Sequence, residues 1–236
     1  MTLRIKPILC RKGTMDNYAY IITDTQSDVS AIVDAAEAAP IVAYCEENNI
    51  TPKYILTTHH HFDHVEGNAE LKNKYGLQIV APKAEQGLID GVDICVSDSD
   101  IFNIGSCVCE VIAAPGHTKG HVLWYFKDNK TLFTGDVLFN LCIGGLFEGL
   151  PEEMFNTLKK IKGLPDDVEF YPGHEYTEHG LRHLMKDNTS ETVEYLDIAI
   201  FRLQNQMPVS PIKLGLEKKC NPYLKIANLT DFSRLF

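Results

Sequence analysis

Thr58-His59-His60-His61-Phe62-Asp63-His64 directly follows an apolar, β-branched run, Lys53 to Thr58, that reads as a strand. Four of the chain's nine histidines and an aspartate fall within these residues. On extended backbone alternate side chains share a side, so His59 and His61 project together and His60 points away. Two imidazoles so placed can grip one cation. Asp63 and His64, beyond a turn, can grip a second. Imidazole and carboxylate suit zinc, iron or manganese. The competing reading, a solvated histidine-rich loop, would put four costly groups at one strand end for no return.

Three further residues stand where strands should end. His117 lies in Pro115-Gly116-His117-Thr118-Lys119-Gly120-His121, Asp136 follows Leu132-Phe133-Thr134-Gly135, and His174 follows Tyr171-Pro172-Gly173. Each has a glycine before it, which lets backbone approach a ligand closely. Loops beyond strand ends are where function gathers in open α/β architectures.

Strand-like and helical segments alternate through most of the chain. Asn17 to Thr23, Val29 to Asp34, Gln78 to Val80, Ile94 to Val96, Cys107 to Ala113, His121 to Phe126, Thr131 to Gly135 and Val168 to Tyr171 read as strands. Glu37 to Asn48 and Asn68 to Tyr75 read as helices, the second stopped by Gly76. Pro151 to Lys162 is a helix opened by proline, acidic in its first turn and basic in its last, and ended by Gly163. Its buried stripe is Met154, Phe155, Leu158 and Ile161. After His174 the pattern turns helical, over Tyr176 to Lys186 and Ser190 to Gln206, with no strand expected. The chain thus divides into an α/β body, residues 1–175, and a helical unit, residues 176–236.

The formal charge is −10, from 32 acidic and 22 basic residues. That argues against a nucleic-acid or anionic-membrane binder. No apolar run is long enough to span a membrane. The start has no signal-peptide pattern, so the cytoplasm is expected. The seven cysteines include no Cys-x-x-Cys pair and suggest reduced thiols, with Cys107 and Cys109 packed side by side on one strand face. One basic island exists: from Ile212 onward five basic residues face only Glu217 and Asp231. Solvated surface lysines are the plain reading of it.

Taken together, Thr58 to Asn68, Ala114 to His121, Phe133 to Phe139, Phe147 to Gly149, Pro172 to Thr177 and Asn221-Pro222-Tyr223-Leu224 resemble the metallo-β-lactamase superfamily, and within it the hydroxyacylglutathione hydrolases (glyoxalase II). The resemblance runs from about Asn17 to Leu224. It implies a four-layer αββα sandwich with a C-terminal helical domain. It also implies two divalent metal ions, zinc first, with iron or manganese as alternatives. His59, His61 and His117 would hold one ion, Asp63, His64 and His174 the other, and Asp136 would bridge them. His121 would support these ligands by hydrogen bonding. The implied reaction is hydrolysis of S-D-lactoylglutathione, or another S-2-hydroxyacylglutathione, to D-lactate and glutathione by a metal-bridging hydroxide, with Asp63 and Asp136 as catalytic carboxylates. Such a site is net positive, which acidifies bound water. A thiol leaving group, pKa about 8.5, needs little protonation.

On the substrate side, Tyr176 matches a substrate-contacting tyrosine. Phe147 stands where many members have tyrosine, and Gly145 where they have a basic residue. The usual C-terminal arginine and lysine have no counterpart before Phe236. Lys225 and Lys119, with Lys218 and Lys219, are the candidates to replace them. Two alternatives follow: a thioesterase for another thiol carrier, such as a polyamine-conjugated glutathione, and an enzyme like the mononuclear-iron persulfide dioxygenases. A small-molecule thioester partner, no nucleic acid, no membrane and a monomer are expected. His179 and His183, four apart on a helix, read as surface or packing residues.

Overall fold

Side-chain alternation along a few strands builds the layers. In the computed structural model, which describes residues 2–184 and 189–236, two six-stranded sheets face each other. The first contains β1 (Leu3–Cys10), β2 (Asn17–Asp24), β3 (Ser30–Val33), β4 (Tyr54–Leu56), β5 (Gln78–Pro82) and β6 (Ile94–Val96), in that order. β1, β2 and β3 pair antiparallel, while β3 to β6 pair parallel. α1 (Ala38–Glu47) fills the crossover from β3 to β4, α2 (Phe62–Val65) and α3 (Asn68–Tyr75) that from β4 to β5, and a 3-10 helix, Lys83–Leu88, that from β5 to β6, since parallel pairing requires crossovers. Gly76 ends α3 in the left-handed conformation, φ 65°.

The second sheet contains β7 (Ile101–Ile104), β8 (Cys107–Ala113), β9 (Val122–Phe126) and β10 (Thr131–Gly135), paired antiparallel in sequence. A small hairpin, β11 (Leu138–Phe139) and β12 (Cys142–Ile143), and α4 (Pro151–Gly163) follow. β13 (Glu169–Pro172) then pairs parallel with β10. After it come α5 (Thr177–Leu184), α6 (Ser190–Gln204), β14 (Ile212–Lys213), α7 (Leu214–Cys220), α8 (Pro222–Lys225) and α9 (Leu229–Ser233).

Odd and even positions sort into different cores. Tyr18, Tyr20 and Ile22 of β2 meet Cys107, Cys109, Trp124 and Phe133 between the sheets. Ala19 and Ile21 face the other way, against Ile41 of α1 and Leu71 of α3. Leu123, Tyr125 and Leu132 face a third cluster with Met154, Leu158 and Ile161 of α4 and with Tyr195, Leu214, Leu224 and Phe232 of the C-terminal helices. Three cores separate four layers, αββα. All seven cysteines are free, and Cys107 and Cys109 share the inter-sheet face. Among the described residues no helix is long and apolar enough to cross a membrane.

Four features depart from the sequence reading. β1 carries Arg4, Lys6 and Pro7 on an alternately exposed edge, where proline and charge are tolerated because one side has no ladder partner. β14 is a strand beyond residue 176, only two residues long, formed because it meets β13. The helix expected over Tyr176 to Lys186 runs from Thr177 to Leu184, and Met185 and Lys186 lie outside the described residues. In α4 the stripe holds Met154, Thr157, Leu158 and Ile161, with Phe155 half-buried.

Candidate metal centre

The loops after β4, β8, β10 and β13 converge on one point between the sheets. Asp34, at the end of β3, organises the first of them. Its φ is 52°, a left-handed conformation that aspartate tolerates better than most residues. It accepts from Thr58 N (2.8 Å), Thr58 Oγ1 (2.8 Å) and His64 Nδ1 (3.0 Å). The strand end and α2 are thereby locked together, which sets His59, His61, Asp63 and His64 in one cluster.

The ligand atoms then fall into two groups. His61 Nδ1 lies 2.9 Å from His117 Nε2, and His59 completes a set with them. His64 Nε2 lies 3.3 Å from His174 Nε2, and Asp63 Oδ2 lies 3.6 and 3.4 Å from these two nitrogens. Asp136 stands between the groups: Oδ1 is 3.2 Å from His64 Nε2, and Oδ2 is 3.2 Å from His174 Nε2 and 3.5 Å from His117 Nε2. Glycines at 135 and 173 permit this approach. A Cβ on Gly173 would run into Asp136 Oδ1 and His64, and one on Gly135 would strike His121 and Thr58.

Tautomers follow from the outer hydrogen bonds. His117 Nδ1–H donates to Gly145 O (2.8 Å) and His174 Nδ1–H to Met15 O (2.7 Å). Carbonyls only accept, so in the neutral, metal-binding form of both rings Nε2 presents a bare lone pair inward. Thr58 donates its hydroxyl to Asp34, so its oxygen accepts from His59 Nδ1–H at 3.0 Å, and His59 Nε2 is bare as well. That nitrogen and Asp136 Oδ1 are buried without a hydrogen-bond partner. Zinc–nitrogen bonds of about 2.0–2.1 Å place tetrahedral ligands about 3.3 Å apart. The observed spacings match that edge, and the bare, inward acceptors fit a cation.

Electrostatics agree. Burial, then the neighbouring imidazoles, hold His59 well below the usual histidine value. Burial also opposes charge on His64 and His174, but Asp136, with Asp34 for the former and Asp63 for the latter, outweighs it. His64 is raised well above its ordinary pKa and His174 to about 9. Asp136 is pulled well below the carboxylate range, because His64 and His174 overcome its burial. Each carboxylate is therefore an anion aimed at cations.

The remaining candidates divide. His121 Nε2 accepts from Asp136 N at 3.1 Å, so it braces a ligand and has no Nε2 lone pair to give a metal. His60 turns away, as expected, toward Glu85 and Glu148. A cavity of about 670 Å³ opens over the site. Phe147 and Tyr176 line it: Phe147 contacts His61 and His117 edge-on, and Tyr176 stacks on His174 at 4.6 Å. Lys119 and Lys225 do not line it, which corrects the expectation for both. Lys119 is exposed on its loop, where its N–H donates to Glu148 (3.3 Å). Lys225 is two positions past the cavity-lining Tyr223 on α8 and so faces elsewhere. Lys218 and Lys219 are held by Asp166 (2.7 Å) and Glu191 (3.2 Å), away from the cavity. His179 lines the cavity.

Sequence reasoning passed over three positioning groups. Asp34 could have been suspected as a second acidic residue closing a strand. Asn17 donates to Asp63 O (3.0 Å) and Oδ2 (2.9 Å). Glu85, 1% exposed, accepts from His60 N (2.6 Å), Gly120 N (3.0 Å) and the Thr118 hydroxyl, tying the His59 loop to the His117 loop. Neither Asn17 nor Glu85 carries a local signal.

Comparisons with known proteins converge. The family described as Metallo-beta-lactamase superfamily matches residues 15–174. A hydroxyacylglutathione hydrolase from Brucella anthropi is 44% identical over 99% of this chain and 89% of its own length. One from Pelagibacter ubique is 39% identical over 93% of each. The crystal structure of ETHE1 from Myxococcus xanthus superposes with a TM-score of 0.76 at 19% identity, over 98% of this chain and 89% of that one, which is a likeness of fold. With its metal-binding clusters of histidine and aspartate, the chain belongs to the metallo-beta-lactamase superfamily and, within it, to the hydroxyacylglutathione hydrolase family.

Proposed function

We propose that the protein hydrolyses S-2-hydroxyacylglutathione, with S-D-lactoylglutathione as the leading substrate, to the free hydroxy acid and glutathione. Water adds across the C–S bond: its oxygen joins the acyl carbon and the thiolate leaves with a proton from solvent. The observation that carries this reading is the convergence of bare imidazole nitrogens and two carboxylates beneath an open cavity. His59, His61 and His117 would hold one divalent ion, Asp63, His64 and His174 a second, and Asp136 would bridge them, zinc being the first candidate and iron or manganese the others. Bound ions supply a water acidified to near neutral pH and positive charge for the carbonyl oxygen.

The protein's own groups do the rest. Asn17 Nδ2 donates to Asp63 Oδ2 (2.9 Å), so Oδ1 is the oxygen available to take a proton from the attacking water. Phe147 and Tyr176, which line the cavity, would flank the acyl group. The departing thiolate needs little help, its pKa being about 8.5.

Metal-loaded protein should hydrolyse S-D-lactoylglutathione at least about a hundredfold faster, by kcat/KM, than an acyl-coenzyme A or a β-lactam, a margin of about 2.7 kcal/mol. Faster turnover of either comparison substrate, or no turnover of the glutathione thioester by protein shown to hold metal, would overturn the assignment.

A further inference from the structure

Among the described residues the cavity over the metal centre has no lysine or arginine in its lining, yet glutathione carries two carboxylates and an ammonium group. A second cavity of about 790 Å³ adjoins it, and Tyr176 and His179 line both. Its walls carry Lys12, from the turn between β1 and β2, and Arg182, from α5. They also carry Asp16 and Glu178. Glu178 and Arg182 are one helical turn apart, a spacing that commonly pairs, but no ion pair joins them among the described residues. Lys12 likewise has no partner there. One oxygen of Asp16, Oδ1, accepts from Gly13 N (2.7 Å), and the other charged groups are committed: Glu175 accepts from Tyr18 Oη (2.8 Å) and Val209 N (2.9 Å), and Lys6 Nζ sits over the Tyr44 ring at 5.6 Å.

We propose that this second cavity binds the γ-glutamyl end of the thiol carrier, which leaves the metal centre past Tyr176 and His179. The γ-glutamyl end is a zwitterionic amino-acid head, and the wall offers uncommitted groups of both signs. Arg182 and Lys12 take its carboxylate, and Glu178 and Asp16 take its ammonium. It is also the longer of the two arms that extend from the cysteine sulfur. The carrier is thus selected by its amino-acid head and not by its glycine carboxylate. This deepens the hydrolase reading and rests on it for the placement of the thioester.

The test compares S-lactoylglutathione with S-lactoyl-N-acetylcysteinylglycine, which lacks the γ-glutamyl head and whose capped amine prevents acyl migration. Metal-loaded wild type should favour the glutathione thioester about tenfold or more, through KM and not kcat. In Lys12→Ala/Arg182→Ala the preference should vanish while turnover of the truncated substrate is unchanged, and Arg182→Lys should restore part of it. Equal use of both substrates by wild type, or a preference that survives the double substitution, would overturn the proposal. Calorimetry separates this from the fate of the hydrolase reading. S-methylglutathione should bind wild type about tenfold more tightly than its N-acetylcysteinylglycine counterpart, and the double variant should bind both alike. If no thioester is cleaved but that difference appears, the hydrolase reading fails and the subsite stands. If the difference is absent, the subsite fails.

Discussion

Asp34 shows how much one carboxylate can arrange. It receives both donors of Thr58 and the outer nitrogen of His64, so it sets the strand end that presents His59 and the tautomer of His64 together. Partners of this kind typically contribute 10–100-fold to metal affinity. Asp34→Ala should therefore lower affinity at the site of Asp63, His64 and His174 by about that factor. The group of His59, His61 and His117 should be affected less. Metal content after dialysis against a competing chelator measures both. The seven candidate ligand positions stood out in the sequence because histidine and aspartate at strand ends are conspicuous. Asp34 was not, since its partners lie 24 and 30 residues away along the chain.

At the scale of elements, the hairpin of β11 and β12 forms a cavity wall and is tied to the C-terminal helices by Glu217. This fully buried carboxyl accepts from Leu141 N (2.7 Å), Tyr195 Oη (2.6 Å) and Asn221 Nδ2 (2.7 Å), while Asn221 Nδ2 also reaches Cys142 O (3.2 Å). Burial raises its pKa from 4.5 to about 7, against the pull of those three donors. Between these values the folded chain binds a proton that the unfolded chain releases. The contribution to stability is thus complete below about pH 4.5 and is lost as pH rises through about 7. Glu217→Gln removes this dependence. Relative to wild type, its melting temperature should be higher at about pH 8 than at about pH 5. A constant offset between the two proteins would contradict this. The acidic first turn and glycine stop of α4 were readable locally, whereas α7, α8 and α9 are seven, four and five residues long. Helices so short form only where tertiary packing supports them.

For the whole molecule, the centre sits where four loops from two sheets meet, so ions bound there also bridge the sheets. Removing them with a chelator should lower the melting temperature by roughly 5–10 °C, taking ligand stabilisation of about 2.7 kcal/mol at a hundredfold excess over Kd. Protons compete for the same atoms, because His64 and His174 are raised above the usual histidine range. Metal affinity should therefore rise with pH, and binding should release protons, seen as a buffer-dependent heat of binding. By itself the sequence determined the alternation of strands and helices and a set of candidate metal-binding side chains at strand ends, because periodicity and clusters of histidine and aspartate are local signals, while the four layers and the sharing of those side chains between two ions were implied only by the family resemblance. The tertiary structure alone decided which groups serve those side chains, that Lys218 and Lys219 pair with Asp166 and Glu191, and that Lys12 and Arg182 share a cavity. Their proximity depends on how distant strands and helices pack, and no local pattern of residues records that.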